Sequence, residues 1–281
     1  MNPVIAITSP GNMGAAVGGR LTAQGVKALC SFSGRSAASQ VRAKKHGLTD
    51  AGDSELAQAD FLLSIVPPKE AVAVAERLAP ALTAAPRKAV YVDCNAVSPQ
   101  TAARIGEILA PTGAVYVDGG IIGGPPRDGY TPRLYVSGAG AERVLDLNRF
   151  GLDVRKVEGG IGAASALKLS YAGINKGAIG LGAAMILAAR RAGVEDILMR
   201  ELSDSQRGLL AQFARGIPDM FAKAERWAPE MVEIADYGGV GGEGDIYRGL
   251  AALYERLAAD FDGSREEIGA LENFFSRKSE T

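Results

Sequence analysis

The stretch that most constrains this chain lies at its N-terminus. An apolar run, Val4-Ile5-Ala6-Ile7, ends in Ser9-Pro10-Gly11-Asn12-Met13-Gly14, and a helix-compatible segment follows. A second apolar run, Ala28 to Phe32, closes on Ser33-Gly34-Arg35-Ser36. Strand, glycine turn, helix and strand in this order form the unit that holds a dinucleotide. Glycine lets the backbone come close to the pyrophosphate, and the helix N-terminus offers unpaired N–H groups and a positive dipole end. An NAD site carries an Asp or Glu about 20 residues further on, placed on the ribose hydroxyls. Here that place, near Ser33, has no acid, and Arg35 and Ser36 stand just beyond it. A guanidinium and a hydroxyl suit a 2′-phosphate, which a carboxylate would repel. The expected cofactor is NADP(H), held by Ser9, Pro10, Gly11, Asn12, Met13 and Gly14 in the turn and by Gly34, Arg35 and Ser36 beyond the second strand.

The turn departs from G-x-G-x-x-G at its first place, where Ser9 stands for glycine. A second stretch, Gly239-Val240-Gly241-Gly242-Glu243-Gly244, fits that expression in full but follows a polar, helix-like segment. It reads as a flexible loop, with a lid over a site as the alternative. Context rather than pattern separates the two.

Bulk properties narrow the function classes. A formal net charge of −1 with no basic block points to neither nucleic acid nor an anionic membrane as partner. Arg, Lys or Asp interrupts each apolar run, so no membrane span is expected, and the direct entry into a strand gives no secretory signal. Cys30 and Cys94 lie in or at the end of strand-like runs and read as buried thiols, with a disulfide possible but unneeded. His46 sits in Lys44-Lys45-His46-Gly47 and reads as a solvated residue, so no His/Cys metal site is expected. The expectation is a soluble, cytoplasmic protein acting on a small molecule.

Residues 1–160 alternate short apolar runs with helical ones. Strands are predicted at Val4–Thr8, Ala28–Phe32, Phe61–Val66, Ala89–Val92, Val115–Val117, Leu134–Val136 and near Leu152–Val157, with helices at Met13–Gln24, Glu70–Ala81 and Pro99–Leu109. Such strands imply a mostly parallel sheet covered on both faces. Residues 163–192 then form one long, proline-free helix, and everything beyond reads helical. The predicted fold is α/β: a Rossmann-type doubly wound N-terminal domain (1–160) followed by an all-α C-terminal domain (161–281) entered through that helix. Its small residues, Gly173, Gly177, Gly180, Gly182, Ala183 and Ala184, permit close packing on another helix, and a partner subunit is the candidate.

Four further stretches carry chemistry. Ser64-Ile65-Val66-Pro67-Pro68 ends a strand, and Val66 and Pro67 are expected to flank the nicotinamide. Asp93-Cys94-Asn95 follows the next strand; Asn95 is open between cofactor contact and local turn bonding. Asp118-Gly119-Gly120-Ile121-Ile122-Gly123-Gly124 offers exposed N–H groups for a carboxylate or carbonyl oxygen, making Gly120, Ile121, Ile122, Gly123 and Gly124 the candidate substrate loop in a fairly apolar pocket. Lys168, Tyr171 and Asn175 share one face of the long helix; Lys168 is open between proton transfer and a stem extended to solvent.

Together these stretches resemble the 3-hydroxyacid dehydrogenase / 6-phosphogluconate dehydrogenase superfamily, which includes the imine reductases. The family opens with G-x-G-x-M-G, matched by Ser9 to Gly14 except at the serine, and its NADP members place Asn-Arg-Thr where this chain has Gly34-Arg35-Ser36. Its substrate loop Asp-Ala-Pro-Val-Ser-Gly-Gly is similar to Asp118 to Gly124, and its G-x-G-x-x-x-x-x-K run is matched by Gly160 to Lys168. The resemblance spans residues 3 to about 195, and Trp227-Ala228-Pro229-Glu230-Met231-Val232-Glu233-Ile234 looks like the helical C-terminal domain of one subgroup. It implies Lys168 as general acid/base, Tyr171 or Asn175 as orienting residues, and a site between the domains completed by a partner subunit. Departures refine this. Ile122 replaces the loop serine, and the sugar-acid decarboxylases' Lys-Met-Val-His-Asn-Gly-Ile-Glu becomes Lys168 to Asn175 without the acidic residue, which argues against 6-phosphogluconate as substrate. Imine reductases usually lack the lysine, so Lys168 favours an alcohol/carbonyl pair. The expected activity is an NADP(H)-dependent carbonyl or secondary-alcohol oxidoreductase, with an imine reductase and a non-catalytic NADP-binding sensor as rivals.

Overall fold

The computed structural model describes residues 2–276. Contacts divide the chain into one unit ending at Leu169 and a second beginning at Ser170. The first contains β1 (Val4–Ile7), α1 (Asn12–Thr22), β2 (Lys27–Cys30), α2 (Ala37–Lys45), β3 (Thr49–Asp50), α3 (Asp53–Leu56), β4 (Phe61–Ser64), α4 (Ala71–Ala84), β5 (Val90–Asp93), α5 (Pro99–Leu109), β6 (Tyr116–Ile122), β7 (Arg133–Ser137), α6 (Ala141–Val144), β8 (Asp153–Lys156) and the start of α7 (Ala163–Arg191). Among the described residues these strands form one sheet in the order β3-β2-β1-β4-β5-β6-β7-β8. All neighbours run parallel except β6 and β7. The two-residue β3 is too short to leave an alternation in the sequence.

Every residue of β4 and β5 is buried, as a sheet covered on both faces requires. Strand alternation sends Ile5 and Ile7 into a core with Val17 and Leu21 of α1, while Ala6 joins Leu62, Leu78, Leu82 and Ile105 on the opposite face. Because β1 lies between β2 and β4, the chain leaves it toward both sides of the sheet. In open α/β sheets ligands are received at such a reversal, outside the carboxyl ends of the strands, and here Ser9–Gly14 follow β1 at that place.

The unit boundary falls inside α7, whose first turns are fastened to the sheet. Asp118, on β6 and 1% exposed, accepts hydrogen bonds from the N–H groups of Gly162 (2.9 Å), Ala164 (3.0 Å) and Ser165 (3.1 Å). It also accepts from the hydroxyls of Ser137 (2.9 Å) and Ser165 (2.5 Å). A carboxylate from a distant strand thus caps the helix N-terminus, satisfying orphan N–H groups and facing the positive dipole end.

The second unit adds α8 (Glu195–Ser205), α9 (Arg207–Met220), α10 (Ala224–Gly238), α11 (Gly242–Asp262) and α12 (Glu266–Ser276) to the remainder of α7. Residues 277–281 of the expected helical domain lie outside the described residues. The small residues of α7 are occupied within this unit: a Cβ on Gly180 would stand 2.6 Å from Leu250, and one on Gly182 2.8 Å from Phe213. The outward face is a different one, carrying Tyr171, Ile174, Leu181 and Met185, each at least half exposed.

Three expectations are corrected. By length and composition α7 is apolar enough to cross a membrane, since Lys176 alone interrupts residues 169–189. With 56% of its apolar window buried, it has the character of a core helix. The glycine-rich stretch is not one loop: α10 ends at Gly238, α11 begins at Gly242, and Gly244 is packed so tightly on the Gly239 carbonyl that a Cβ would collide with it. His46 is half-buried, its imidazole against Gly19 of α1 and its carbonyl bonded by the Thr22 hydroxyl at 2.8 Å.

Replacing Asp118 with Ala takes the acceptor from two hydroxyls and from the Gly162 and Ser165 N–H groups in the interior, with the Ala164 N–H left to the Ser137 hydroxyl, so urea unfolding should show a loss of about 2–4 kcal/mol. A loss under about 1 kcal/mol would mean that α7 is held by packing alone.

Candidate active site

Backbone geometry explains why the glycine turn accepts Ser9. None of residues 9–14 has a left-handed φ, so glycine is not required at Ser9 for conformation. Close approach is the requirement, and it falls on Gly14, where a Cβ would collide with the Ser9 carbonyl. Helix α1 starts after Gly11 with no side-chain cap, which leaves its first N–H groups for a ligand. A Cβ on Gly11 would meet nothing within 4 Å, so the turn is open there.

Gly34 takes a left-handed φ of 69° beyond β2 and turns the chain into α2. Ser36 caps that helix, accepting from Ser39 N–H at 3.3 Å. Arg35 Nε is buried without a hydrogen-bond partner, and the guanidinium is close enough to oppose the rise of the Cys30 pKa. Burial, with a smaller push from Asp50, still takes that thiol up to about 12. Cys94 is raised by burial too; both cysteines are free. A polar cavity of about 850 Å³ lies beside this loop, bordered by Ser33, Gly34, Gln40, Asp50, Asp53 and Arg77.

At the next strand ends, Asn95 is 3% exposed and internally engaged. Its amide nitrogen donates to Asp93 (2.5 Å) and to the Ser64 hydroxyl (3.1 Å), and its oxygen accepts from Val66 N–H at 2.7 Å. Of the two readings open for Asn95, local bonding is the one its side chain makes. Val66 and Pro67 are set on the rim by that bond, half-buried and exposed respectively.

Beyond β6 the backbone carries the candidate loop. Ile121 and Ile122 are each 8% exposed, and Ile121 belongs to the core beside α1. The accessible part is Gly123 and Gly124. Gly120 lies against α7, where a Cβ would stand 2.7 Å from the Lys168 Cβ, so only glycine lets the half-buried Lys168 sit at the end of this strand. Tyr130, absent from the sequence reading, accepts from Gly124 N–H at 3.2 Å, and Arg127 lies 5.1 Å over its ring. Further along α7, Tyr171 is half exposed, and the exposed Asn175 donates to the Tyr171 carbonyl at 2.8 Å.

In the helical unit Trp227 is a packing residue, edge-on to Tyr254 at 5.4 Å. Lys176 lies 5.0 Å over its ring and pairs with the buried Glu230, an ion pair no local pattern announces. Among the described residues no group of three or more His, Cys, Asp or Glu is placed to hold a metal ion.

Comparison with known proteins follows these divisions. The NAD binding domain of 6-phosphogluconate dehydrogenase matches residues 5–145, and a domain of unknown function, DUF1932, matches 189–257. No functionally curated protein matches the chain. Among solved structures, a conserved protein described as structurally similar to 3-hydroxyacid dehydrogenases aligns at 25% identity with a TM-score of 0.70, covering 92% of this chain and 97% of its own. A Mycobacterium tuberculosis 3-hydroxyisobutyrate dehydrogenase with L-serine aligns at 18% identity and TM-score 0.71, covering 97% and 99%. An imine reductase from Myxococcus stipitatus in complex with NADP+ aligns at 18% identity and TM-score 0.54, also covering 97% and 99%. The last two similarities are of fold.

Proposed function

Because the chain belongs to the family built on the NAD-binding domain of 6-phosphogluconate dehydrogenase, within the 3-hydroxyacid dehydrogenase-like superfamily, we propose that it is an NADP(H)-dependent carbonyl or secondary-alcohol oxidoreductase. The observation that carries this reading is Lys168, held at the carboxyl end of β6 by its fit against Gly120. That strand end lies on the edge of the sheet to which the β1 turn also opens. A bound nicotinamide would supply or accept hydride at the substrate carbon. Lys168 would give a proton to the carbonyl oxygen on reduction and take it back on oxidation. The N–H of Gly123 would orient a substrate oxygen, and Tyr171 and Asn175 are the further candidates on α7.

The residues at the end of β2 fit a 2′-phosphorylated dinucleotide. The buried, unpartnered Nε of Arg35 is a donor in want of an anion, and the place of the ribose acid is taken by Ser33. Gly11, Asn12, Met13 and Gly14 would hold the pyrophosphate at the uncapped N-terminus of α1. A non-catalytic sensor would have no use for a proton-transfer group beside the substrate loop.

The working form is a homodimer through α7. Tyr171, Ile174, Ala178, Leu181 and Met185 follow one another at spacings of three and four, and the large members are 50–72% exposed. A seam of that periodicity fits a second helix of the same kind.

Three measurements test these statements. Fluorescence titration should give tighter binding of NADPH than NADH, and Arg35→Ala should cost NADPH roughly ten-fold while sparing NADH. In a panel of ketones, 2- and 3-oxoacids and cyclic imines, Lys168→Ala should lower carbonyl turnover by about 10²–10⁴-fold with NADPH affinity retained. Intact imine reduction in that variant would move the reading to C=N chemistry. Sedimentation velocity should find a dimer that Ile174→Asp dissociates; a wild-type monomer would remove the dimer from the proposal.

A further inference from the structure

The proposed NADP(H) reading leaves one basic residue beside the nucleotide turn without a part. Arg42 lies on α2, and its Nη1 donates to the Pro10 carbonyl at 3.2 Å. Ser39, Arg42 and His46 are spaced by three and four residues, and His46 at the end of this face packs on Gly19 of α1. The face of α2 that carries Arg42 therefore looks toward α1 and its turn. Near its start, Ser36 caps the helix and Ser39 bonds the Ser36 hydroxyl at 3.1 Å.

We infer that Arg42 is a second guanidinium for the 2′-phosphate, acting with Arg35 across the gap between the β1 turn and α2. The inference rests on the NADP(H) reading above and adds a specificity residue to it. Three observations carry it. Arg42 is anchored through one nitrogen to the turn that receives the nucleotide, so its position is defined. Its Nε and Nη2 have no partner among the described residues, which leaves two donors in the fork arrangement that matches phosphate oxygens. The bond to Pro10 also neutralises a carbonyl that would otherwise present negative charge to an incoming anion. Arg42 approaches from α2, the element that follows β2, and so lies toward Arg35 and Ser36, whereas the pyrophosphate is served by the first turn of α1.

The test is a set of titrations with NADPH, NADH, adenosine 2′,5′-bisphosphate and 5′-AMP on wild type, Arg42→Ala, Arg42→Lys and Arg35→Ala. Arg42→Ala should weaken both 2′-phosphorylated ligands by roughly ten-fold and leave NADH and 5′-AMP within about two-fold. Arg42→Lys should recover only part of the loss, because an ammonium cannot present two fixed parallel donors. An equal loss on phosphorylated and unphosphorylated ligands would overturn the inference, reducing Arg42 to a brace for Pro10; no loss on any ligand would overturn it too. Should Arg42→Ala fail to fold, Arg42→Lys carries the same comparison. A wild type that binds NADPH no better than NADH defeats the NADP(H) reading and this inference together. A wild type that prefers NADPH, with the preference intact in Arg42→Ala, defeats the inference alone.

Discussion

The buried carboxylate of Asp118 is the constraint from which the arrangement of the candidate site follows. A charge at 1% exposure survives in a protein interior only when its lone pairs are met, and here five donors from β7, the Gly162–Ala164 turn and α7 meet them. The clamp sets the register of a helix against a strand. Asp118 and Gly120 lie on the same face of β6, two residues apart, while Ala164 and Lys168 lie one turn apart on α7. The contact between Gly120 and Lys168 is thus the Asp118–Ala164 bond carried forward by one repeat of each element.

A similar economy holds at the other strand ends. Asn95 ties the loops after β4 and β5 together, and the Thr8 hydroxyl accepts from Ile65 N–H at 3.0 Å, joining the end of β1 to β4. Polar side chains that could serve a ligand instead hold the loops in shape. In the proposed reading the ligand is met by backbone N–H groups at the uncapped α1 N-terminus.

What was legible in the sequence was what a local period or a missing side chain encodes. The β1 turn, the alternation of strands and helices, the long α7 and the cationic end of β2 all belong to that class. Lys168 is singled out only through resemblance; composition alone favours a stem extended to solvent. The residues that escaped reading depend on partners far away in the chain. Arg42 meets Pro10, Lys176 meets Glu230 and Tyr130 meets Gly124 only once the fold has formed. Ile121 packs into the core beside α1, while Ile122, 8% exposed, lies on the face of β6 shared with Asp118 and Gly120. The small residues of α7 look like a partner's docking face, whereas Leu250, Tyr254 and Phe213 of the same unit fill them.

Ser9 carries a consequence for which substitutions such a turn can take. With no left-handed dihedral to satisfy at that place, the first position answers only to size, and the one strict demand passes to Gly14. A turn with a single irreplaceable glycine can change its remaining letters without losing its shape.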